Sequence, residues 1–91
     1  MLDFEWDEQK ALSNLAKHRV SFAVASEVFN DPFAVDIEER SLHYAEVRRR
    51  IVGVIYGLCL TVIYTERNDI IRIISARKAS RAERREYENA T

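Results

Sequence analysis

The hydrophobic and polar positions change their period near Pro32. Before it, apolar residues recur at helical spacing: Ala11, Leu12, Leu15 and Ala16 follow Asp7, whose carboxylate suits a helix N-cap, and predict a first helix to about His18. Ser21 is a second cap and opens a helix to about Phe29 that buries Phe22, Ala25, Val28 and Phe29. The stretch Asn30-Asp31-Pro32 ends it, because asparagine and aspartate favour turns and a residue before proline leaves the α region.

Beyond Pro32 the texture is that of strands. FAVDI reads as a first strand, EERSLHYAE as a polar loop, and Val47 to about Tyr56 as a second strand. Gly57 turns the chain into a third, LCLTVIYT, and the four polar residues ERND lead to a fourth, IIRIISA, so the last three form an antiparallel meander. With ERND as the closing loop, Thr65 faces Ile70, Tyr64 faces Ile71, Ile63 faces Arg72 and Val62 faces Ile73. One sheet face then carries Leu60, Val62, Tyr64, Ile71 and Ile73, an apolar surface for the two helices. The other mixes Thr61, Ile63, Thr65, Arg72 and Ile74. Ser80 and Glu83 have the spacing of a capping box and open a final helix. The pattern predicts an α+β domain: two N-terminal helices packed on a mainly antiparallel four-stranded sheet, with a C-terminal helix.

Length and charge narrow the picture. Ninety-one residues support one core, so residues 1–91 are read as a single domain. No apolar run approaches the ~20 residues of a membrane span, and the acidic N-terminus is unlike a secretory signal, which points to the cytoplasm. Cys59, the one cysteine, sits in an apolar run and reads as a buried thiol. The net charge of -1 hides two unequal halves: residues 1–46 carry four basic and ten acidic side chains, residues 47–91 ten basic and five acidic. Nine of those ten are arginine, whose planar fork suits phosphate. The basic half fits a phosphate-bearing partner, and the acidic half a basic protein.

Not all of that charge needs a ligand. Arg84 and Glu88 stand one helical turn apart, and Arg81, Arg84 and Arg85 fit a solvated helix surface as well as a binding one. Arg67 in a hairpin loop, Arg72 inside a strand and Arg77 at a strand exit are less easily explained, because a guanidinium on a sheet needs a carboxylate or an open groove. The stretch HYAEVRRR adds His43, Tyr44 and Glu46 beside Arg48, Arg49 and Arg50. A base for the 2′-hydroxyl, cations for the phosphorane and an acid for the 5′-oxygen are what RNA cleavage without a metal requires. Each has a plainer reading: Glu46 as a surface carboxylate, Lys17 and His18 as favourable charges at a helix C-terminus, Trp6 as a packing residue. His18 and His43 with scattered acids make no metal motif, so no cofactor is expected.

In order and spacing, FEWDEQKALSNLAKHRVSF, VFNDP, AEVRRRIVG and TERNDIIRIISARKASRAERREY resemble the BrnT toxins of the BrnT/BrnA type II toxin-antitoxin systems, across nearly the whole chain. The resemblance implies a RelE-like ribonuclease fold and an RNase activity that arrests translation. It also implies a hetero-oligomer with a BrnA-like ribbon-helix-helix antitoxin, through which alone operator DNA is met. Carried over by position, it implies catalytic roles for Lys17, Glu46, Arg67 and Arg77, with Arg67 and Arg77 clamping the scissile phosphate. Trp6, His18, Arg48 and Arg72 become RNA-binding candidates. The chain departs from the family pattern at Arg19, where glycine is usual after Lys17-His18, and at Arg49, where an aromatic residue is common. Two other readings keep the fold: a catalytically inactive antitoxin-binding module, and a DNA-binding regulator using Arg81, Arg84 and Arg85.

Overall fold

A computed structural model describes residues 2–39 and 47–90. The order of elements is β1 (Asp3–Glu5), α1 (Glu8–His18), α2 (Phe22–Ser26), a 3-10 turn (Glu27–Asn30), β2 (Val35–Glu39), β3 (Arg48–Ile55), β4 (Leu58–Arg67), β5 (Ile70–Lys78) and α3 (Arg81–Asn89). The architecture is α+β, with five strands rather than four, in the order β1-β5-β4-β3-β2. The meander β3-β4-β5 and the pair β2-β3 are antiparallel, while β1 runs parallel to β5 through Asp3–Ile70, Phe4–Ile71 and Glu5–Arg72. The sheet is therefore mixed, and the extra strand is a three-residue segment too short for an alternation to reveal.

Both hairpins close with two residues at positive φ, Tyr56-Gly57 and Asn68-Asp69. That is the signature of the type I′ turn, whose twist matches the strands it joins. The β4-β5 loop is thus Asn68-Asp69 alone, and Arg67 pairs with Ile70 instead of standing in a four-residue loop. The register moves by two residues from the expected one, to Thr65–Arg72 and Tyr64–Ile73. Since side chains alternate with period two, a two-residue shift leaves every face unchanged. Leu60, Val62, Tyr64, Ile71 and Ile73 accordingly enter the core, with Val20, Phe22, Ala25, Val28, Ile51 and Ala76. A bulge follows: Tyr64 pairs with Ile73 but Ile63 with Ser75, so Ile74 has no partner across the ladder.

The helices depart further from expectation. Asp7 and Ser21 cap α1 and α2 by accepting the backbone N–H of Lys10 and Val24, at 3.1 Å each. The second helix gives way to a 3-10 turn at Glu27, short of Phe29. In α1 the apolar stripe is not the buried one: Leu12 is 67% and Leu15 44% exposed, and the buried residue is Asn14. Its amide donates to the carbonyls of Ala76 (2.8 Å) and Val20 (3.1 Å) and accepts the N–H of Ala76 (3.2 Å). β1 reaches only to Arg72 along β5; beyond it no strand among the described residues pairs with that edge, and Asn14 supplies the two hydrogen bonds that a neighbouring strand would. Helix α1 is docked by a polar clamp.

Arg19, where the family pattern has glycine, keeps the left-handed helix end: φ is 60° and its N–H bonds to the carbonyl of Leu15. That conformation costs a residue with a Cβ ~1–2 kcal/mol, partly offset in a glycine variant by ~0.5–1 kcal/mol of extra chain entropy. Arg19→Gly is therefore expected to stabilise the chain by up to ~1 kcal/mol, a rise in Tm of a few degrees in a thermal melt. An unchanged or lower Tm would contradict this account.

At the far end of the sheet, Asp31 fastens three elements. Its carboxylate accepts the N–H groups of Val54 (2.8 Å) and Phe33 (2.9 Å) and the hydroxyl of Tyr87 on α3 (2.7 Å). Burial raises its pKa, but these three donors outweigh burial and hold it below the usual carboxylate range. The same bond pushes the Tyr87 phenol up to about 12. Gly53 makes the approach possible, since a Cβ there would meet Val28 at 2.8 Å and Asp31 at 3.2 Å.

Candidate functional site

The sheet face away from the core cluster is divided in two. Its half near the β3-β4 hairpin is covered by α3, and the cover is organised by one carboxylate. Ser80 and Glu83 form the expected capping box, but Glu83 also turns inward, with 8% of its side chain exposed. It accepts from both terminal guanidinium nitrogens of Arg77, Nη1 and Nη2 (2.6 and 3.0 Å), from Arg50 of β3 (3.1 Å) and from the hydroxyl of Thr61 of β4 (3.0 Å). The Arg77 bonds, reinforced by the Ser80 N–H and Thr61, hold its carboxyl far below the ordinary range despite the burial. The same pairing raises the already high pKa of Arg77. Of the two ways a guanidinium can be satisfied on a sheet, a carboxylate or an open groove, Arg77 thus has the carboxylate, Glu83.

The other half of this face is open. Arg48 from β3, Thr65 and Arg67 from β4, and Arg72 and Ile74 from β5 line a cleft of about 330 Å³, closed at one side by Glu5 of β1 and Lys10 of α1. Lys10 and Ile74 also line an adjoining depression of about 220 Å³, with Ser13, Asn14, Lys17, His18 and Ser75. The bulge turns two consecutive residues, Ile74 and Ser75, toward this groove. Among the described residues, the two hollows are lined by Lys10, Lys17, Arg48, Arg67 and Arg72 together with the carboxylate of Glu5, which lies 3.6 Å from the Arg72 guanidinium. The pair is half-exposed on both sides, so it is weak and open to exchange for another anion.

Among the sequence candidates, Lys17, His18, Arg48, Arg67 and Arg72 come together here. Trp6 lines a separate hollow with Phe4, Glu5 and Glu8, its indole packed edge-on against Phe22 at 5.9 Å between centroids. Glu46, with His43 and Tyr44, lies outside the described residues. A single-phosphate clamp of Arg67 with Arg77 is not supported: the first pairs with Ile70 and the second with Thr61, six positions apart on β4 and hence ~20 Å along the strand. Arg72, opposite Thr65, is the near neighbour that Arg77 is not.

Lys10 was not among the site residues anticipated from the sequence, although the signal exists. Lys10, Ser13, Asn14, Lys17 and His18 make a polar stripe at helical spacing, and it is this stripe rather than the leucines that faces the sheet.

Nor does the Arg49 patch extend the cleft. Arg49 turns to the core side, where its guanidinium contacts Asp36 (3.1 Å) and the Tyr64 hydroxyl (3.3 Å). Tyr64 in turn donates to Asp36, and burial together with that bond raises its pKa far above the usual phenol range. Cys59 is buried as expected, and burial raises its thiol pKa, which disfavours the thiolate.

The open part of the sheet face, flanked by α1, gathers arginine and lysine, residue types that pair with phosphate. The family model for the ribonuclease toxin BrnT of type II toxin-antitoxin systems matches residues 6–83, and the chain belongs to that family. The match spans α1 through the capping box of α3, and so includes every wall of the cleft except Glu5. Among curated proteins, no relative matches the chain. No helix among the described residues is long and apolar enough to cross a membrane.

Proposed function

We propose that this chain is a metal-independent endoribonuclease of the cytoplasm that cuts RNA in the cleft between α1 and the β3-β4-β5 face and thereby arrests translation. A BrnA-like ribbon-helix-helix antitoxin neutralises it and carries the pair to operator DNA. The observation that supports this reading is the convergence of Lys10, Arg48, Arg67 and Arg72 from four separate elements on one 330 Å³ cleft.

In the reaction, a base takes the proton of the 2′-hydroxyl, O2′ bonds to phosphorus, and the P–O5′ bond breaks as an acid protonates the leaving oxygen. Arg67, Arg72 and Arg48 stand where the charge of the phosphorane would develop, the role a metal ion otherwise fills. Glu46 keeps its role as the proposed base or base-orienting carboxylate. Lys17 and His18, in the adjoining depression, are the proposed proton donors to the 5′-oxygen, and Trp6 supports the strand beyond. Arg77 contributes through Glu83, by fixing α3 and Arg50 of β3 on the neighbouring half of the face.

The test is incubation of the purified chain with RNA in excess chelator. Fragments ending in 2′,3′-cyclic phosphate and 5′-hydroxyl are expected, with none from an oligonucleotide lacking the 2′-hydroxyl. Cleavage that stops on chelation would sink the metal-independent mechanism.

A further inference from the structure

The two edges of the sheet are treated differently. At the β5 side, β1 covers Ile70 to Arg72, and the Asn14 amide takes up the backbone of Ala76. At the other side, β2 pairs only with β3 among the described residues, in an unbroken five-residue register from Val35–Val52 to Glu39–Arg48. It is exposed from Asp36 to Glu39 and carries neither proline nor bulge; its carboxylates Asp36, Glu38 and Glu39 guard it against a like-charged strand but leave it open to a basic one. An edge of this kind is a template for another strand.

We propose that the outer edge of β2 is the docking site of the antitoxin, which adds an extended segment there as one more strand of the sheet. The family membership supplies the existence of a protein antitoxin; RNA cleavage by this chain is not required. Main-chain hydrogen bonds provide most of the recognition, and side chains at alternate positions the choice of partner. Asp36 and Glu38 lie on one face of β2, Val35 and Ile37 on the other. The matching segment therefore alternates lysine or arginine with apolar residues. Arg49 and Arg50 already answer Asp36 and Glu39 from the β3 side, so charge tunes the contact rather than creating it. A second copy of this chain fits worse, since antiparallel self-pairing would set these carboxylates against their own kind.

The position also links docking to neutralisation. Glu39 pairs with Arg48, and Arg48 lines the cationic cleft, so a segment laid along β2 ends at the cleft rim. There it stands in the way of a nucleic-acid strand without having to displace α1 or α3.

The test is hydrogen-deuterium exchange on the full chain alone and in complex with the antitoxin encoded beside it. Amides in residues 35–39 that exchange quickly in the free chain are expected to be protected in the complex. Glu38→Lys is expected to weaken binding at least tenfold, while Asp3→Lys on β1, the same charge change at the other edge, leaves it unchanged. A complex in which residues 35–39 exchange as in the free chain overturns the proposal. So does protection of these amides in the free chain at high concentration, which would assign the edge to a second copy. Neither readout depends on RNA being cut, so an inactive chain that still binds through β2 would refute the ribonuclease reading and leave this one standing.

Discussion

Replacing Glu83 by alanine is expected to destabilise the chain by ~3 kcal/mol, the low end of the range for removing one partner of a buried ion pair. The change leaves Arg50, whose side chain is only 16% exposed, without its innermost carboxylate, and Thr61, fully buried, without an acceptor. Arg77, 37% exposed, can recover some hydration, which is why the low end applies. Urea denaturation should show the loss, and the Tm should fall by more than ~10 °C. The sign of the pH dependence follows from the depressed carboxyl of Glu83. A group whose folded pKa lies below its unfolded value stabilises fully above the ordinary glutamate range of ~4.3, and that stabilisation is lost as pH falls below it toward the folded pKa. The native chain should therefore lose stability on acidification below about pH 5, with a smaller slope for Glu83→Gln, which has no proton to gain. The slope should not vanish, because Asp31 titrates in the same direction. If the native chain and Glu83→Gln lost stability in parallel down to low pH, the Glu83 cluster would not be the anchor described.

Glu83 also shows how far the sequence could be read. Its local role was visible, because a capping box is defined by two residues three apart, and Ser80-Glu83 forms as the spacing requires. Its larger role was not, since Arg50 and Thr61 are 33 and 22 residues away and meet it only because β3 and β4 pair beneath α3. The same division runs through the fold. Alternation along β4 and β5 marked the core face correctly although the register was off by two at Thr65 and Tyr64 and by three beyond the bulge: the even shift keeps parity, and the extra residue Ile74 absorbs the odd one. Where a choice turned on which of two stripes faces inward, as in α1, the rule that apolar residues go inside failed, because a single asparagine satisfying a strand edge outweighed two leucines. The residue types that line the cleft were legible, since Arg67 and Arg72 stand out in the sequence and lie in the cleft together. Arg77 lies outside that lining and pairs with Glu83, a partner that adjacency to a strand exit could not reveal because it stands on the next helix.

The double substitution Arg67→Ala, Arg72→Ala is expected to lower RNA cleavage ~10²–10³-fold, the loss typical of removing pre-organised donors to a developing anion. Both residues are exposed on the strand ends, so the folded state should change little, and circular dichroism with an unaltered Tm would establish that. Arg72→Lys should fall between, since it keeps the charge but loses the planar fork that grips two phosphate oxygens. The matching control removes two arginines from α3, Arg81→Ala with Arg85→Ala, which leaves net charge as in the double variant but does not touch the cleft. The comparison separates two explanations that a single variant confounds. If only overall charge attracts RNA, both pairs should weaken binding alike and change its salt dependence alike, by about 0.7 per phosphate contact in the logarithmic slope for a single strand. If the cleft is where the phosphorane is stabilised, the α3 pair should alter binding modestly and cleavage of bound RNA not at all, while the cleft pair slows the chemical step at saturating RNA. Equal loss from both pairs would make the groove an attractive surface and move the chemistry elsewhere on the molecule.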